Sequence, residues 1–225
     1  EPLQLGRSAA VSMKPSACGQ GLPVGGHDFA VDTVRPVVEL ASSMGTTVTL
    51  DMEDSRTVDS TLAAVAELRK EHPGTGAVVQ SMLHRTEDDV RALAVSGSRV
   101  RLVKGAYREA PEVAHQKKND VDAAYARCLQ ILMSGPGYPM VGSHDPALIS
   151  LAHELAAQNG REPGTWEVQM LYGIRPEEQQ RLADAGTQVR AYVPYGVDWY
   201  GYFMRRLAER PANVRFFLRS LATKS

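Results

Sequence analysis

The sequence predicts an α/β protein built on a parallel sheet, specifically a (βα)8 barrel of the TIM type. Three observations carry this expectation. Short apolar runs alternate with longer stretches of helical period. No turn signal joins two strand-like runs directly, so each run is followed by a crossover and its successor lies parallel to it. Polar residues gather at the C-terminal ends of the runs: Lys14, Asp51, Gln80, Arg101, Lys104, Ser143, His144, Gln169 and Tyr192. In a barrel those ends ring one mouth, where catalysis takes place. An open doubly wound sheet is the other candidate, but no glycine-rich dinucleotide fingerprint follows the first run.

Ala9–Lys14 reads as a strand that stops at Pro15. Val34–Met44 reads as a helix closed by Gly45. Thr46–Leu50 is a β-branched strand ending in Asp51-Met-Glu-Asp54, and Thr57–Lys70 is a helix with Leu62, Val65, Ala66 and Leu68 as its apolar residues. Gly76–Gln80 is a strand. Thr86 and Asp89 resemble a capping box at the start of the next helix. Val100–Val103 is a strand that runs into Lys104-Gly-Ala-Tyr107, and Val121–Met133 is a helix. Pro139–Ser143 is a strand. Asp145 and Pro146 supply a cap and a first-turn proline for a helix over Ala147–Gln158. Trp166–Leu171 is a strand, and Pro176 opens a helix to Ala185. Val189–Val193 is the last strand.

A final helix follows, capped by Asp198 and limited by Pro211. Tyr202, Arg205, Arg206 and Glu209 share one of its faces, spaced i, i+3, i+4 and i+7. Two adjacent guanidiniums beside tyrosines suit a small carboxylate, which an Arg fork holds through two hydrogen bonds. The ordinary alternative is that Glu209 pairs with Arg205 and Arg206 on a solvated face. This reading makes seven strand-helix units in one domain over residues 1–225. The eighth unit of a barrel, its first, is expected to be missing from the chain and to lie before Glu1.

Composition narrows the function classes. The 225 residues carry a formal net charge of −1, which argues against nucleic acid or an anionic membrane as the main partner. Cys18 and Cys128 fit two unpaired thiols in a reducing cytoplasm, with no Cys/His spacing that reads as a metal site. No apolar run approaches the ~18–20 residues of a transmembrane helix. His144 has no second His at ligand spacing, and no Gly-x-Ser-x-Gly elbow presents a serine nucleophile. The strand ends are rich in cations and donors and poor in paired carboxylates. Such a mouth suits an anionic cofactor that carries the difficult chemistry on a small anionic substrate.

Seven segments, in order, make the chain resemble the proline dehydrogenase family. They are Val11-Ser-Met-Lys-Pro-Ser16, Thr49-Leu-Asp-Met-Glu-Asp54, Val78-Val-Gln80, Val100-Arg-Leu-Val-Lys-Gly-Ala-Tyr107, Ser143-His-Asp145, Glu167-Val-Gln-Met-Leu-Tyr-Gly173 and Tyr202-Phe-Met-Arg-Arg-Leu-Ala-Glu209. The resemblance covers essentially the whole chain. It is to the monofunctional actinobacterial type and to the matching domain of the bifunctional proline utilization A flavoenzymes.

The resemblance implies noncovalent FAD at the mouth of a distorted barrel. It implies oxidation of L-proline to 1-pyrroline-5-carboxylate by hydride transfer to flavin N5, the first step from proline to glutamate. Electrons would pass to a membrane quinone, which leaves room for peripheral docking of a soluble, cytoplasmic chain. Arg205 and Arg206 would hold the proline carboxylate, assisted by Lys14. Tyr192, Tyr202 and Leu171 would enclose the ring, Asp51 would lie near the substrate end, and Tyr107 would hydrogen-bond within the site. Gln80, Arg101, Val103, Lys104, Gly105, Ala106, Ser143, His144 and Gln169 would contact FAD. Glu209 would hold the Arg-Arg helix face or reach the ribityl region.

The chain departs from the family pattern in three places. Gly142-Ser143-His144 stands where Ala-Thr-His is usual, the family's N-terminal helices and first strand have no counterpart, and His115 and Lys117 lie in a variable loop. A family member acting on another cyclic amino acid such as hydroxyproline, and a non-catalytic proline-binding barrel, are the competing readings.

Overall fold

The structure is a computed structural model that describes residues 9–196. The chain divides into two compact units, residues 1–190 and residues 191–225. In the first unit, strands and helices alternate. They run β1 (Val11–Met13), α1 (Gly26–Ser43), β2 (Val48–Leu50), α2 (Val58–Leu68), β3 (Gly76–Gln80), α3 (Thr86–Leu93), β4 (Arg99–Val103), α4 (Lys118–Ser134), β5 (Tyr138–Gly142), α5 (Pro146–Gln158), β6 (Glu167–Leu171), α6 (Pro176–Asp184) and β7 (Val189–Tyr192). Short 3-10 turns cover Pro15–Cys18 and Ser55–Thr57. The described part of the second unit holds the end of β7 and a stretch without regular structure to Gly196.

The seven strands form one sheet in sequence order. The pairs from β1 through β6 are parallel. The expected parallel α/β sheet is therefore present.

Side chains alternate across each strand. On one face Val79, Val100, Leu102, Val141, Val168 and Met170 pack with Tyr125, Leu129 and Met133 of α4 and Ile149 and Leu155 of α5. A second cluster joins Val48 and Leu50 of β2 to Val34 and Val38 of α1 and Val65 and Leu68 of α2. Burying each of these side chains contributes roughly 1.5–3 kcal/mol. Both cysteines are free and buried. Among the described residues no helix is long and apolar enough to cross a membrane.

The other face carries polar residues, and it is concave. Strands β1 and β4 are three places apart, about 14 Å in a flat sheet. Yet Arg101 Nη1 of β4 lies 2.9 Å from Ser12 Oγ of β1. Only a sheet curled toward this face brings those side chains together.

Two element boundaries differ from expectation for physical reasons. Helix α1 begins at Gly26, not Val34. Pro36 lies inside the helix. Its ring removes one backbone hydrogen bond, and the buried stripe of Ala30, Val31, Val34, Val38 and Ala41 outweighs that loss. The capping box at Thr86 is not formed. Thr86 is already helical, and its hydroxyl donates to the Gln80 carbonyl at 2.5 Å. Asp89 instead pairs with Arg85. The cap at Asp145 is as expected, accepting from the Ala147 N–H at 3.1 Å.

Candidate active site

The concave face holds its polar side chains in tiers because successive inward positions on each strand are two residues apart. The upper tier is not at the C-terminal ends of the strands, as the sequence suggests, because the ladders continue past it: Ser12, Arg101 and Gln169 are the middle residues of β1, β4 and β6, and Asp51 directly follows β2. The Asp51 carboxylate, just after β2, accepts from Arg101 Nη1 at 2.5 Å and from Ser12 Oγ at 2.8 Å. Arg101 Nε donates to Gln169 Oε1 of β6 at 2.5 Å. Thus β1, β2, β4 and β6 meet through one guanidinium. Arg101 and Gln169 are both buried. A buried charge is tolerated where it is paired and hydrogen-bonded, and this arginine meets both conditions.

The rim is made of loops. Gln80 ends β3, is 2% exposed, and donates from Nε2 to the Glu53 carbonyl at 2.6 Å. Lys14 lies 3.6 Å from the Glu53 carboxylate. Lys104 Nζ stands between Asp122 Oδ1 at 2.6 Å and Asp145 Oδ2 at 2.9 Å. Burial acts to lower the Lys104 pKa, but the hydrogen bonds to Asp122 and Asp145 outweigh it and raise the ammonium above its usual value. The same hydrogen bond holds Asp145 below the usual carboxylate range.

Gly105 follows at φ +107, and a Cβ there would collide with the Met82 side chain. Its backbone conformation and its close approach both require glycine. Ala106 and Tyr107 are exposed beyond it. Val103 packs, partly buried, against the apolar cluster that includes Met52, Val78 and Met82.

Ser143 is buried after β5, and its Oγ accepts from the Asp145 N–H at 3.1 Å. His144 Nε2 accepts from the Leu171 N–H at 2.8 Å, so that nitrogen carries no proton and the ring proton sits on Nδ1. The His144 carbonyl accepts from Arg175 Nη1 at 2.6 Å. These bonds tie the loop after β5 to the end of β6. Tyr192 ends β7, half-buried, in the second unit. Tyr202, Arg205, Arg206 and Glu209, the expected carboxylate face, lie outside the described residues.

The structure thus joins Asp51, Arg101 and Gln169 directly and sets Gln80 and Lys14 around Glu53. It places Lys104 between Asp122 of α4 and Asp145 in the loop after β5. Sequence reasoning missed four participants. Ser12 links Asp51 to Arg101. Glu53 gathers Gln80 and Lys14. Asp122 shares Lys104.

The fourth is Glu167, which is fully buried two residues before Gln169. It forms a lower tier with Arg190, whose Nε and Nη2 both lie at 2.8 Å from its oxygens, and with Tyr138 at 3.1 Å. Burial pushes the Glu167 carboxyl up. Hydrogen bonds from Arg190 and Gln169 and the charges of Arg190 and Arg99 outweigh that push and hold the pKa below the usual glutamate value. Burial, with the nearby Glu167 charge, pushes the Tyr138 phenol up to about 12. The signal that could have found Ser12 and Glu167, with its partner Arg190, was present: polar residues at alternate positions of otherwise apolar strands.

The family model for proline dehydrogenase matches residues 3–219. The chain is 36% identical over 217 residues to proline dehydrogenase 1 of Bacillus subtilis, covering 96% of this chain and 71% of that one. It is 40% identical over 215 residues to a proline dehydrogenase of Deinococcus radiodurans, covering 94% and 69%. Among solved structures it is similar to proline utilization A from Bdellovibrio bacteriovorus inactivated by N-propargylglycine, with a TM-score of 0.79 and 28% identity. That match covers 88% of this chain and 24% of the other, so the chain spans about a quarter of that protein. Sheet order, concave polar face and these similarities lead to one conclusion: the chain belongs to the proline dehydrogenase family.

Proposed function

We propose that this protein oxidises L-proline to 1-pyrroline-5-carboxylate with FAD bound at the concave face. The observation that carries the reading is the largely buried Asp51–Arg101–Gln169 array on the concave face, formed by residues of the matching family segments. The donor set fits the cofactor. Arg101, Lys104, Gln80, Gln169, Ser143 and His144 bring cations, amides, a hydroxyl and an imidazole to β3 through β6 and the loops that follow them. That is the chemistry a diphosphate and an oxygen-bearing flavin edge require. Val103, Gly105 and Ala106 supply backbone beside them. When bound, FAD would accept the hydride leaving proline Cδ and pass its electrons to a quinone.

The chain's own residues do the rest. Arg205 and Arg206, with Lys14, bind the proline carboxylate and so orient the ring, which lowers the barrier by proximity. Tyr192, Tyr202 and Leu171 enclose the ring and exclude water. Tyr107 hydrogen-bonds at the rim, and Glu209 holds the arginine face. The proline nitrogen must lose its ammonium proton to form the imine, and nearby cations favour that loss. Asp51 and Gln169 hold Arg101 in a fixed direction, a preorganised positive charge for electron density arriving at the site. In the same proposal the curled sheet is part of a distorted (βα)8 barrel, residues 1–225 act as one domain, and the protein works in the cytoplasm, peripheral to the quinone-bearing membrane.

The test is the visible spectrum of the purified protein before and after anaerobic L-proline. A flavin spectrum that bleaches with proline supports the reading. A flavin spectrum unchanged by proline rejects the substrate, and protein that takes up no FAD rejects the cofactor.

A further inference from the structure

Glu167 is a fully buried carboxylate that the chemistry above leaves without a task. It precedes Gln169 by two residues on β6, so both side chains lie on the concave face. Gln169 Nε2 donates to Glu167 Oε1. At its other end, Gln169 Oε1 accepts from Arg101 Nε at 2.5 Å. A side-chain amide has one donating and one accepting end. A carboxylate only accepts and a guanidinium only donates, so Gln169 is oriented from both sides. Turned by half a rotation, it would face donor with donor and acceptor with acceptor.

We propose that Glu167 is a positioning residue for the candidate site. It holds the amide of Gln169 with its oxygen toward Arg101, and through that bond it aims the Arg101 guanidinium at Asp51 and Ser12. The inference rests on Arg101 being part of the proline-oxidising site. The competing role for Glu167 is only to neutralise Arg190, which it meets through both oxygens. That role predicts lost stability when Glu167 is replaced and no change at Arg101.

The two roles separate by exchanging the polarity of the pair. In Glu167→Gln the neutral amide no longer dictates which end of Gln169 faces Arg101. In the double variant Glu167→Gln with Gln169→Glu, the amide placed at 167 donates to the carboxylate placed at 169, whose other oxygen accepts from Arg101. Arg190 lacks its carboxylate partner at 167 in both. The readout is the exchange with water of the Arg101 Nε–H, measured by NMR on the full chain without substrate and identified by its absence in Arg101→Lys. We expect exchange about 10-fold faster in E167Q, as for loss of one hydrogen bond, and a return to within about 3-fold of the native rate in the double variant.

A double variant that exchanges as fast as E167Q overturns the proposal. If E167Q does not fold, Gln169→Leu cuts the same chain while leaving Arg190 its partner, and unchanged Arg101 exchange there overturns it equally. Proline turnover should follow the same order. The NMR pattern without proline turnover would remove the proposed function and leave the positioning role standing.

Discussion

Arg101 of β4 and Asp51 at the end of β2 meet at 2.5 Å although β3 lies between their strands. The contact exists because the sheet is curled and because Arg is long enough to cross the concave face. Both side chains are largely buried, 10% and 14% exposed, so the ion pair helps offset what each loses on leaving water. Replacing Asp51 by Ala strands a buried guanidinium. The expected cost is about 3 kcal/mol of stability, read from denaturant unfolding. Asp51→Asn keeps the shape and one acceptor, and should cost less stability while lowering proline turnover at least about 10-fold.

Arg190 and Glu167 set an acid limit on the fold. The folded pKa of Glu167 lies below its unfolded value, so its contribution is present above the ordinary glutamate range and is lost as pH falls through the folded value. Arg190→Gln removes the hydrogen bonds that offset burial, and burial then pushes the Glu167 carboxyl up. Stability near neutral pH should fall by about 3–5 kcal/mol. Acid unfolding should begin at higher pH than in the native protein. Circular dichroism across a pH series checks both.

Gly105 holds the loop after β4 at φ +107 against Met82. Gly105→Ala combines a strained backbone with a collision, costing roughly 1–3 kcal/mol. The strain falls on the segment proposed to touch FAD. Flavin content per chain, measured by absorbance after purification, should drop well below that of the native protein. The heat stability of the helical core should change less, since Tyr125, Leu129 and Met133 belong to a different apolar cluster from the one that holds Met82.

Arg205→Met and Arg206→Met should each raise the proline KM roughly 10²-fold, the scale of one charge-assisted contact of about 3 kcal/mol. Bound flavin should be retained. Steady-state kinetics with flavin content measured in parallel check the clamp, and an unchanged KM would exclude it.

Lys104 shows how much of such a site composition conceals. In sequence it is a cation at a strand end, available to an anionic ligand. In the fold it already bridges Asp122 and Asp145. The carboxylates come from α4 and the loop after β5, far from it in sequence. Thr86 is a second case, since its sequence neighbours suggest a cap, while the fold aims its hydroxyl at Gln80.

The sequence by itself determined the alternation of strand and helix, the parallel sheet and its membership of the proline dehydrogenase family. It also marked Asp51, Arg101 and Gln169 as polar residues of otherwise apolar runs, because apolar periodicity and local turn chemistry are written within a few positions of one another. Tertiary structure alone decided which polar residues meet. Ser12, Asp51, Arg101, Glu167 and Gln169 come from four different strands, and only the curl of the sheet sets their distances. It also decided that Pro36 stays inside α1, because a buried face outweighs one missing hydrogen bond. Contacts of that kind depend on separations of tens of residues along the chain, and local pattern carries no record of them.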